Sequence, residues 1–145
     1  MNPLPEKHPL YSIASSLLAR TSAPLCPEHP YMKGLLAGAR CDSYNVLAAL
    51  HLLNDDLGAA HLLVQVHEED ATANYLHQLV HRREGDWRNT RYWIGKTGAH
   101  PFYEEFGHGT ARERVDRCQQ GDEGAAALAW EELTGLLDWI VRHSA

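Results

Sequence analysis

The side chains best equipped for chemistry crowd into one segment, YLHQLVHRREGDWRNTRYW, from Tyr75 to Trp93. Two of them, His77 and His81, are four residues apart. On a helix that spacing lets two imidazoles reach one metal ion from successive turns. Glu84, one turn further on, supplies a third ligand for a divalent ion. Position 78 is Gln, so the HExxH arrangement of a metalloprotease is absent. The commoner structural meaning of two such histidines is a pair of surface or hydrogen-bonded rings.

His61 falls among Leu57, Ala60 and Val64, on an apolar stripe. A buried imidazole needs a partner. It is either a core histidine bonded to a backbone carbonyl or a third ring facing His77 and His81, with Glu68 and Glu69 close by. Such a His/Glu cluster suits a metal ion or acid–base work near neutral pH. Tyr92 adds a hydroxyl that could orient a substrate or act as an acid. The candidate catalytic residues are therefore His61, His77, His81, Glu84 and Tyr92. The candidate metal ligands are His77, His81 and Glu84. Arg82, Asn89 and Trp93 are the candidates for substrate binding, Arg82 as a clamp on a carboxylate or phosphate. Against this stand structural roles. Arg83 with Glu84 or Asp86 would tie the turn together, and Trp87 and Trp93 would pack between helices.

Other chemistries lack support. There is no Gly-rich phosphate loop and no GxSxG, and Cys41 and Cys118 have no evident His/Asn partner. Three cysteines at scattered positions make neither a disulfide framework nor a zinc module. Reduced thiols and the absence of a signal-like start point to the cytoplasm. No apolar run reaches membrane-spanning length. A net charge of −6 argues against nucleic acid as a partner. A basic stretch of Arg82, Arg83, Arg88, Arg91 and Lys96 leaves room for a small anion, or is solvated helix surface.

The elements that must position these residues read as helices throughout. β-branched residues are few and no hairpin signal appears. With 145 residues, the chain is expected to form one all-α domain. Residues 1–10 form an extended leader rich in proline. Helices are expected over 11–20, 31–39, about 43–53, 55–68, 71–84, 86–98, 110–120 and 122–143, with 21–30 and 101–109 as loops. Asp42 or Ser43, Asp56, Asp86 and Asp122 are the candidate caps. Leu47 to Gln65 overlies His77 to Gly95 at an offset of 30, which aligns His51 with His81 and Asp56 with Asp86. Both copies read as helix, Asp-bearing turn, helix. That predicts a compact domain of stacked helical hairpins, a tetratricopeptide-like pair with flanking N- and C-terminal helices.

His77, His81-Arg82-Arg83-Glu84, Asp86, Asn89 and Tyr92-Trp93, followed by Gly98 and His100-Pro101, also form a motif. It resembles that of a family of small helical microbial proteins carrying W-H-x3-H-R-R-E-x-D-x2-N-A-K-Y-W. Asp55-Asp56-Leu57 with His61 is similar to that family's D-D-L-x3-H, and Trp130-Glu131 to part of its last helix. The resemblance spans roughly residues 44–143. This chain departs from it at Leu76 and at Thr90-Arg91. The family has no established activity, so the resemblance implies a shared polar site without naming its use.

Three readings follow. The first is a metal-binding or acid–base enzyme acting on a small polar or anionic molecule. The second is a helical-repeat interaction module without catalysis. The third is a hydrogen-bond network that fixes helix register.

Overall fold

The computed structural model describes residues 1–144. Eight helices and no strands occur among them: α1 (Tyr11–Leu18), α2 (Tyr44–Leu53), α3 (Leu57–Val64), α4 (Ala71–Glu84), α5 (Trp87–Thr97), α6 (Pro101–Phe106), α7 (Ala111–Gln120) and α8 (Ala125–Arg142). The all-α expectation is met. α2 is apolar nearly all round, and Val46 to Leu53 is buried except for His51. A helix of that composition belongs at the centre. It packs on α1, α3, α4 and α8. From the other side α8 presents Leu133, Leu136, Leu137 and Ile140, all buried.

Local chemistry sets the boundaries around the polar segment. Ser43, Asp56, Asp70 and Asp86 each accept a backbone N–H from the first turn of the helix that follows. Gly85 ends α4 at φ 74°, a conformation that costs an L side chain strain but suits glycine. α2 pairs with α3, α4 with α5, and α3 with α4. The two hairpins foreseen from the internal repeat are thus present, although this pairing alone does not make them tetratricopeptide repeats.

Several boundaries differ from expectation. Residues 31–39 form turns rather than a helix. Gly34 and Gly38 sit at positive φ, and Tyr31 and Met32 bond their N–H groups to Asn54 at the end of α2. Residues 101–106 are helical rather than loop. Pro101 suits the first helical position, and His100 Nδ1 accepts the Phe102 N–H at 3.1 Å. α3 stops at Val64, short of Glu68, and α8 starts after Gly124, not Asp122. The leader is not a free extended arm: Leu4 and Leu10 are buried, and Asn2 donates to the Tyr11 carbonyl. No helix among the described residues is long and apolar enough to cross a membrane.

Candidate metal centre

α3 and α4 are joined by only residues 65–70, so they lie against each other. His61 sits in the last turn of α3. His77 and His81 sit one turn apart on the facing side of α4. One ring nitrogen of each of His61, His77 and His81 lies within 4.8 Å of the other two, a grouping that could hold a metal ion. The closest approach is His61 Nε2 to His77 Nε2 at 3.0 Å. Two imidazole nitrogens on one tetrahedral zinc stand about 3.3 Å apart, given bonds of about 2.0–2.1 Å. The observed separation is close to that. Without an ion, one of the two nitrogens must carry a proton and donate it to the other.

The surroundings fix each ring in turn. His77 is buried and stacks on Trp93, with centroids 3.8 Å apart and planes 17° from parallel. Its Nδ1 meets no hydrogen-bond partner. Burial first, then the neighbouring His61 and His81, push its pKa down from 6.5 to about 3, so the ring is neutral at any ordinary pH. Burial and His81 also lower His61, against a smaller pull upward from Glu84. His81 has its Nδ1 2.8 Å from Glu84 Oε1 and 3.9 Å from Asp86 Oδ2. A carboxylate against Nδ1 fixes the orientation of the ring. Metal-binding histidines are commonly oriented in this way.

Other expected members of the site lie elsewhere or serve otherwise. Glu84 stands against His81 Nδ1 and, with His81 and Asp86, forms a second group that could hold a metal ion, distinct from the three rings. Glu68 and Glu69 are exposed in the connecting loop, and Glu69 pairs with His67. Tyr92 is exposed and meets only the edge of Trp93 within the aromatic group, at 5.4 Å. Asn89 donates to Asp86 Oδ2 at 2.7 Å and belongs to the cap of α5. Trp93 is the platform under His77, so its large ring is covered. Arg83 does not tie its own turn. It reaches Asp55 at 2.5 Å and the Leu52 carbonyl at 3.2 Å.

Arg82 departs furthest from expectation. One residue past His81, it points about 100° away around the helix and is fully enclosed. It donates to Glu132 Oε1 at 2.7 Å, and Arg114 reaches the same oxygen at 3.1 Å. Tyr75 donates its hydroxyl to Glu132 Oε2 at 2.5 Å. Burial alone would raise the Glu132 carboxyl, but Arg82 and Arg114 outweigh it and hold the pKa down, at about 2. This half of the polar segment is an internal network tying α4 to α7 and α8, apart from the three histidines. Glu132 and Arg114 went unremarked in the sequence. The signal was there: Leu128, Glu132 and Leu136 recur every four residues, and Arg114 shares a face with Ala111, Val115 and Cys118. A charge on an apolar stripe marks a buried ion pair.

Compared with family models, with curated proteins and with solved structures, the chain matches none.

Proposed function

We propose that this protein binds one divalent transition-metal ion through His61, His77 and His81, and uses it on a small polar or anionic substrate. The convergence of three imidazoles from two adjacent helices carries the reading. Burial that keeps His77 unprotonated favours a metal over a proton, and a carboxylate against His81 Nδ1 orients that ring. Three protein ligands leave a coordination position for water, as in catalytic rather than structural zinc sites. A bound ion there would lower the pKa of that water and polarise a substrate oxygen, which suits hydrolytic or lyase chemistry. Glu84 then acts through His81, as the residue that orients it. The two segments that resemble those of the small helical microbial proteins contain His77 and His81 in one and His61 in the other, and the cytoplasm remains the expected location.

The test is metal analysis of the purified protein before and after reconstitution with zinc. One ion per chain is expected. It should be lost in each of His61→Ala, His77→Ala and His81→Ala while the far-ultraviolet circular dichroism stays helical. A native protein that takes up no ion in either state rejects the metal reading.

A second reading has its own observation. Leu62, on α3 beside His61, and Val66, in the turn that follows α3, are 66% and 68% exposed. Exposed apolar side chains grouped in this way suit a partner protein. It predicts that His77→Ala leaves partner binding intact, whereas Leu62→Glu abolishes it.

A further inference from the structure

The interior holds more positive charge than its own carboxylates balance. Arg82 and Arg114 share Glu132, and Arg20 and Arg83 share Asp55. Each cluster sets two guanidinium groups against one carboxylate. All six side chains are less than a tenth exposed. The excess does not follow from a basic composition, because the chain as a whole carries −6. The nearby Cys118 thiol does not offset it either, since burial pushes its pKa up and keeps its proton on.

α4 brings the two clusters side by side, because Arg82 and Arg83 are consecutive. Both line one partly enclosed cavity of about 20 Å³, together with Leu52, Leu79, Trp130 and Leu133. Both also leave their Nε–H buried without an acceptor. A buried, unpaired donor on a charged group is costly. A space of this size admits one water-sized body. Water would satisfy a donor but leave the surplus charge untouched, whereas an anion answers both.

We propose that a monovalent anion the size of chloride sits in this cavity and accepts the Nε–H groups of Arg82 and Arg83. Polyatomic anions such as phosphate exceed the space. The site uses none of the three histidines, so it stands or falls apart from the metal reading.

The experiment measures urea stability of the full chain as sodium chloride replaces sodium gluconate at constant ionic strength. Chloride should stabilise saturably. At a hundredfold excess over its dissociation constant, it raises the ratio of folded to unfolded chains about 100-fold. Ala129→Leu, from the α8 wall of the cavity, fills the space and leaves both ion clusters in place, so its stability should ignore chloride. Crystals grown in bromide should show an anomalous peak beside both guanidinium groups. Equal stability in gluconate and chloride overturns the proposal, and so does a bromide crystal with no such peak. If Ala129→Leu fails to fold, the bromide peak decides.

Discussion

His81 and Arg82 are neighbours in the chain, yet each serves a different centre. His81 turns toward α3, where Glu84 holds its Nδ1. Removing that carboxylate's charge should loosen the ring without deleting a ligand. Glu84→Gln is expected to keep one metal ion per chain but weaken its affinity about 10–100-fold, read by competition with a chromophoric chelator. Arg82 turns inward to Glu132. Glu132→Gln strands two buried guanidinium groups and should cost about 3–5 kcal/mol in urea unfolding. The acid limb has a definite sign. The Glu132 pKa falls from 4.5 to about 2 on folding, so its contribution is complete above pH 4.5 and drains away as pH falls toward 2. Stability of Glu132→Gln should therefore fall less steeply than the native protein's across that window. The histidine register was legible because spacing alone sets which rings share a face. The roles of Arg82 and Tyr92 were not, because helical spacing does not say which face of a polar helix meets α7 and α8.

At the scale of elements, the capped helices were legible from the sequence. Ser43, Asp56 and Asp86 stand where the chain turns into α2, α3 and α5. Residues 31–39 misled because Met32, Leu35 and Leu36 mimic a helical stripe, while Gly34 and Gly38 break it. α6 was hidden for the opposite reason. Its six residues are too short for periodicity to show, and the cap is the side chain of His100, an unusual capping residue. α6 is held by the close approach of Phe102 to α8, where Gly135 leaves room. A Cβ at Gly135 would stand 2.9 Å from Phe102 Cζ. Phe102 is buried and has little space to withdraw. Gly135→Ala should accordingly destabilise the fold by about 1–3 kcal/mol, measured as a lower urea midpoint with an unchanged slope.

For the molecule as a whole, α4 acts as an axle gripped from two sides. Its histidines abut α3, and Arg82, Arg83 and Tyr75 are fastened to Glu132 and Asp55. Rolling the helix by even a fraction of a turn would part the imidazoles on one flank and tear charged pairs on the other. Its amides should therefore be the slowest in the chain to exchange with deuterated water, opening only when everything opens, while those of α1 and α6 exchange through partial fraying. Contacts on both flanks hold this rod against turning.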